Sequence, residues 1–315
     1  GGHARALTAI DGTRLVAVFD GDAERAAAFA ETHRCQSFSD LDALLARDDV
    51  HMVSVALPNF LHEQATIAAA KAGKHVFLEK PMADTLEGCD RILAAVERAE
   101  VQLLVGHSQR YFASTIRARE LVQDGSLGQP VFATDTWYKP FGVEGRLPWF
   151  LDRATGGGMW LMNGAHMIDR TCWVLDTSVA AVQAWIGSPF LQLPADDACM
   201  ALLRLRNGQH ATIAHAGYRS RGVDRCEVEV ICTDGMLLFD SYSNRLSVDR
   251  SGAYEAVPLV EVDPFAAELR NLAGAIRGEE ELLAPPRWGR HIVEVLLAAE
   301  ESSRLGREVA VSSCD

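Results

Sequence analysis

A chain of 315 residues with 43 Asp and Glu against 30 Lys and Arg carries a formal charge of -13 at pH 7. The length suits two domains that need no disulfides, and 48% hydrophobic with 23% charged residues is the balance of a globular protein. The negative charge opposes a grip on nucleic acid or anionic lipid, no apolar run reaches the roughly 18 residues that cross a bilayer, and the N-terminus lacks a signal-peptide layout. A cytoplasmic protein with neither nucleic-acid nor membrane partners is expected.

The chain alternates short β-branched runs at 15–19, 52–57, 75–78 and 101–105 with helical patterns at 22–32, 40–46, 62–71 and 85–99. That order predicts right-handed βαβ units in a doubly wound parallel sheet over residues 1–125. After the turn cluster at 125–130, alternating strands are predicted at 131–138, 179–186, 198–206, 210–216, 227–232 and 236–240, with turns such as Asn207-Gly208 and Asp234-Gly235. Helices follow Gly156-Gly157-Gly158 to about 175, then span 264–277 and 287–305. Residues 126–315 thus read as an α+β domain with a mostly antiparallel open sheet. The last helix is able to pack back on the first domain. Seven cysteines, odd in number and without a C-x-x-C pair, argue against a disulfide framework and a metal site.

Three segments carry chemistry. Asp20 ends the first strand, where a carboxylate can accept from adenosine ribose hydroxyls and repel an added phosphate; a turn and helix cap is an equal reading. Gly73 to Pro81 places Glu79 and Lys80 at the end of a buried strand, where loss of solvation lowers a lysine pKa toward proton transfer. A lone strand-end lysine is otherwise a solvated one. The glycine run through Asn163, His166 and Asp169 puts His166 and Asp169 on one helix face, with His166 a potential proton acceptor or a core histidine. The fingerprint G-x-G-x-x-G and its preceding strand are missing: the chain opens at Gly1-Gly2-His3, just past where the phosphate-binding turn is expected.

Taken in order, these segments, with Ala56 to His62, Gly106-His107-Ser108-Gln109-Arg110-Tyr111 and Gly306-Arg307-Glu308-Val309, resemble the glucose-fructose oxidoreductase, inositol dehydrogenase and rhizopine-catabolism (Gfo/Idh/MocA) family over nearly the whole chain. The resemblance implies a Rossmann domain followed by a domain whose open sheet supports a homodimer or tetramer. It implies NAD, favoured by Asp20 with NADP still open, bound along Asp20, Leu57, Pro58, Asn59, His62, Glu79, Lys80 and Gln109. Lys80 and His166 would be catalytic, and Arg110, Trp149 and Asn163 would border the substrate with them. The implied reaction is hydride transfer to or from a secondary hydroxyl or carbonyl of a sugar, cyclitol or polyol. Alternatives are a keto-sugar reductase, an aromatic dihydrodiol dehydrogenase, or a silent nucleotide-binding sensor. One departure stands out: many relatives carry Asp four residues before the histidine, and this chain has Met162 there.

Overall fold

The computed structural model describes residues 2–219 and 221–314. The chain opens on α1 (Gly2–Thr8); Gly1, read with Gly2 as part of that first turn, lies outside the described residues. There follow β1 (Ala17–Phe19), α2 (Ala23–His33), β2 (Gln36–Phe38), α3 (Leu41–Leu45), β3 (Met52–Val55), α4 (His62–Lys71), β4 (His75–Leu78), α5 (Leu86–Ala99), β5 (Leu103–Val105) and α6 (Ala113–Gln123). Helix starts are fixed where a side chain can take the first free N–H groups. Asp22 caps α2, Asp40 caps α3 and Thr85 caps α5.

All strand pairs in this half are parallel: β1 with β2, and β3 with β4 with β5. The expected doubly wound sheet therefore stands in two pieces. β1 and β3 do not pair, and between them lies a cavity of about 1220 Å³ lined from both strands and by Asp20, Leu57 and Glu79. Val55, Leu78 and Val105 share one register, so the chain leaves β3, β4 and β5 at one edge, where a ligand crevice belongs. β2 and α6 escaped the sequence reading. β2 is three residues with little apolar pattern, and α6 has no capping side chain to announce it.

The second half comprises β6 (Pro130–Pro140), α7 (Ala165–Val174), β7 (Val179–Gly187), β8 (Ala198–Leu205), β9 (His210–Tyr218), β10 (Arg225–Cys232), β11 (Met236–Asp240), β12 (Arg245–Asp249), β13 (Glu255–Ala256), α8 (Pro264–Ile276), α9 (Pro286–Leu305) and β14 (Val309–Ala310). Nine strands form one sheet in the order β13-β12-β11-β10-β6-β9-β8-β7-β14. Every neighbouring pair is antiparallel except β6 with β9, which are parallel. One face is core, built from alternate residues such as Ala133, Trp137, Ala201, Leu203 and Ile213 beneath α7. The other face is open, with Trp185, Met200 and Leu202 exposed. Helix α9 lies along β7 and reaches α5 and β5 of the first half; a Cβ on Gly289 would lie 2.8 Å from the Val105 side chain, so glycine permits this approach. No helix among the described residues is long and apolar enough to cross a membrane.

A buried ion pair ties α7 to the sheet. The Arg170 guanidinium donates to Asp135 through Nε at 2.7 Å and through Nη2, while Thr171 donates to the same carboxylate at 3.0 Å. Both charged side chains are fully buried. Truncating one partner leaves the other as an unpaired internal charge, so Asp135→Ala is predicted to cost about 3–5 kcal/mol in urea unfolding; a loss under about 1 kcal/mol would contradict this reading.

Five histidines are buried: His62, His107, His166, His215 and His291. Burial lowers the pKa of each, to about 4 for His107 and His291 and about 3 for His215. Unfolded histidine titrates near 6.5, so below that pH the unfolded chain binds more protons than the folded one. Stability is then lost as pH falls from about 6.5 toward 4, by up to about 1.4 kcal/mol per pH unit for each histidine. Urea midpoints measured from pH 7.5 to 5 should fall steadily, and a flat profile would refute the neutral, buried assignment.

Candidate active site

The C-terminal ends of β3 and β4 meet the loop before α7. Glu79 and Lys80 leave β4 and join Pro81 through a cis peptide bond. The Glu79 carboxylate contacts His3 Nε2 at 2.9 Å and lines the cavity. Burial pushes its carboxyl up, but the His3 hydrogen bond and the Lys80 charge outweigh this, and the net shift is downward. Lys80 Nζ donates to the Met162 carbonyl at 2.9 Å, across from the first half to the second. Surrounding protein strips water from the ammonium and lowers its pKa, with Glu79 opposing.

The glycine run lets that loop pack closely. Gly158 sits at φ +103, and a Cβ there would lie 2.2 Å from Asp196 Oδ1. Asp196 in turn accepts from Trp160 N at 2.7 Å, and burial pushes its carboxyl up to about 7. Residues Trp160–Gly164 form one π-helical turn, and α7 follows. His166, on the first turn of α7, is buried with Nδ1 lacking a partner, 6.3 Å from the Trp137 ring between centroids. Burial, then the charge of Lys80, holds its pKa well below the ordinary value. Asn163 Nδ2 lies 3.1 Å from His215 Nε2.

Of the residues singled out by sequence, Lys80, Asn163 and His166 come together at this turn, and Asp20, Leu57 and Glu79 line the cavity. Asp20 is not a bare anion: Arg25 donates to it from Nη2 at 2.7 Å and Nε at 3.2 Å and holds its carboxyl below the usual range. The repulsion expected against an added phosphate is thereby weakened. His62 is fully buried, with Nδ1 2.8 Å from the Pro81 carbonyl and Nε2 2.8 Å from that of Leu57, so it braces the loops instead of facing a ligand. Asn59 spends its amide on Gly156 O at 2.6 Å, and Pro58 stands half-buried before it. Gln109 is buried and accepts from Arg170 at 2.8 Å.

Arg110 corrects the expectation of a substrate contact. Its guanidinium grips Asp169 through Nε at 2.9 Å and Nη2 at 2.7 Å and donates to Leu283 O, which makes it a buried strut. Trp149 stacks edge-on against Phe150, and its indole N–H has no acceptor. Trp160 is core: its ring is fully buried and its N–H donates to Leu296 O at 2.9 Å. Sequence reasoning missed Trp137, Lys139 and His215. Their signal is period two: Asp135, Trp137 and Lys139 share a face of β6, and His215 pairs with Trp137 in register on β9.

Two family models match the chain. Residues 2–107 match the GFO_IDH_MocA oxidoreductase family, NAD-binding Rossmann fold, and residues 115–238 match the GFO/IDH/MocA C-terminal domain. The 1,5-anhydro-D-fructose reductase of Ensifer adhaerens is 32% identical over 96% of this chain and 92% of its own length. The 1-carboxy-3-chloro-3,4-dihydroxycyclohexa-1,5-diene dehydrogenase of Comamonas testosteroni is 32% identical over 57% of this chain, but the match spans only 45% of that protein. Among solved structures, an aldose-aldose oxidoreductase from Caulobacter crescentus complexed with glycerol superposes at TM-score 0.89 with 25% identity, covering 98% of this chain and 95% of that one. Sequence, fold and the meeting of Lys80 with the His166 turn agree: the chain belongs to the GFO/IDH/MocA oxidoreductase family.

Proposed function

We propose that this protein moves a hydride between NAD(P) and a secondary hydroxyl or carbonyl of a sugar, cyclitol or related polyol. The observation that carries the reading is the Lys80 ammonium bonded to the Met162 carbonyl, four residues from His166, at the edge where β3 and β4 end. Two proton-handling groups from different halves of the chain thus lie close enough for the charge of one to act on the other. The relationship to a protein named 1,5-anhydro-D-fructose reductase supports the sugar class. A cyclic dihydrodiol is the second reading, favoured by the Comamonas relative.

The residues present fit a dinucleotide: the cavity is lined by the Asp20 and Glu79 carboxylates and, among its apolar residues, by Leu57. Asp20 and Arg25 would hold the adenosine ribose, and Glu79 would border the nicotinamide. When bound, the nicotinamide accepts or supplies the hydride. In the oxidising direction His166, kept neutral by burial, takes the hydroxyl proton on a ring nitrogen, and in reduction it returns one. Lys80 can exchange its bond to Met162 O for one to the reacting oxygen and stabilise charge growing there. Asn163 is placed to orient the substrate. We divide the chain near residue 125 into cofactor and substrate domains, with α9 clasping both. The exposed Trp185, Met200 and Leu202 on the open sheet support a homodimer or tetramer through that face.

Lys80→Met should lower turnover about 10²-fold or more, read as nicotinamide absorbance on a panel of polyols, keto-sugars and dihydrodiols, with the fold intact by circular dichroism; near-normal turnover would sink the assignment. Met162→Asp should place a carboxylate beside the Asn59 amide and near Lys80, raising the pKa values of Lys80 and His166. The low-pH limb of kcat/KM for oxidation is then expected to move upward by about one unit, and an unmoved limb would show that position 162 does not tune these groups.

A further inference from the structure

The groups around Trp137 are unbalanced in charge. Lys139 holds its ammonium 4.7 Å from the Trp137 ring centroid, half-buried, with no carboxylate paired to it among the described residues. Burial, then Arg146 and Lys80, lower its pKa to about 8, with the Cys226 thiol opposing and no carboxylate among the causes. The charges that act on His166 are Lys80, His107, Arg170 and Lys139, likewise without a carboxylate. Arg170 is already neutralised by Asp135, and Glu79 is engaged by His3 on the cofactor side. Met162, whose carbonyl accepts from Lys80, brings no charge of its own.

The adjoining loop repeats the pattern. The Arg146 guanidinium lies over Phe141 at 4.3 Å and Phe150 at 4.8 Å, and only its Nε is spent, on Gly142 O at 2.6 Å. On the same loop the Trp149 indole N–H is buried without an acceptor. Buried charge is ordinarily paired, because transfer out of water is costly. Cation–π contact with Trp137 offsets only part of that cost. Donors in surplus and acceptors absent are the features of a site completed by an anion.

We propose that Lys139 recognises a carboxylate, so that the substrate is a polyhydroxy acid whose anionic end rests against Lys139 while its reacting carbon lies between Lys80 and His166. The proposal rests on the oxidoreductase reading and narrows it. The ammonium at Trp137 is matched one for one by a carboxylate; a phosphate ester, with about two charges, would have to recruit the Arg146 guanidinium as well, which lies over Phe141 and Phe150 on the neighbouring loop.

The test uses the full chain with NAD and matched probes: D-gluconate against D-glucitol, D-glucuronate against D-glucose, and D-glucose 6-phosphate as the phosphate arm. The wild type should favour the acids in kcat/KM by about tenfold or more, the scale of a charge-assisted hydrogen bond. Lys139→Ala should raise KM for the acids about tenfold with kcat changed less than about threefold, and Lys139→Arg should recover most of the loss. Calorimetry of D-gluconate with both proteins gives a readout apart from turnover. Lys139-dependent gluconate binding without turnover of any probe would keep the anion site and overturn the oxidoreductase reading. Equal turnover of acids and neutral partners, or a Lys139→Ala effect equal on both, would overturn the anion site and keep the reaction. Preference for the phosphate ester would overturn the carboxylate assignment, and neither binding nor turnover would overturn both.

Discussion

The Arg170–Asp135 pair is the constraint on which the site depends. It is wholly buried, so neither charge can be given up without the other, and it joins the middle of α7 to the middle of β6. His166 lies one helical turn before Arg170 and Trp137 two residues after Asp135. Fixing one pair therefore fixes the other, and the imidazole meets the indole at 6.3 Å. Asp169, between them on α7, binds Arg110 and accepts from Trp288 Nε1 at 2.6 Å, which anchors the same helix to the end of β5 and to α9. The helix that presents the proton acceptor is held from three sides, as a reaction needing near-contact geometry requires.

Electrostatically, the site is built on subtraction. With methionine at position 162, no carboxylate there favours protonated Lys80 and His166, and burial governs both groups. A neutral histidine is ready to accept a proton, which suits oxidation, while a lysine with lowered pKa donates more readily to a nascent alkoxide. The cost is a cluster of cations with no internal partner. Arg25 works in the opposite sense at the far end of the cavity, cancelling Asp20. Charge is thus balanced at Asp20 and left open around Trp137.

Much of this was legible in the sequence. The first-half strands and helices carry strong caps and continuous apolar runs, and the second-half strands alternate cleanly, as in the buried-exposed register of β8. Lys80 and His166 were singled out by motif order alone. Arg110 was placed at the substrate because an arginine within a motif gives no hint of the Asp169 that binds it 59 residues away. Lys139 and His215 were invisible for a related reason: each is an ordinary strand residue until the parallel β6–β9 pairing, which no local signal announces, puts both on one face beside Trp137.

His62 shows how two motifs separated in the chain act as one device. Its ring bridges the carbonyls of Leu57, which lines the cavity, and Pro81, which follows Lys80. A neutral imidazole has a single N–H, so only its protonated form donates to both carbonyls at once, and burial opposes that form. The two carbonyls pull the pKa up while the missing water pulls it down, and the net shift is downward. Whichever nitrogen carries the proton, the ring spans a fixed gap between two backbones and has no exposed surface through which to yield. The loop that carries Leu57 and the loop that carries Lys80 are therefore set at one separation by one side chain, which explains why this histidine is spent on backbone carbonyls.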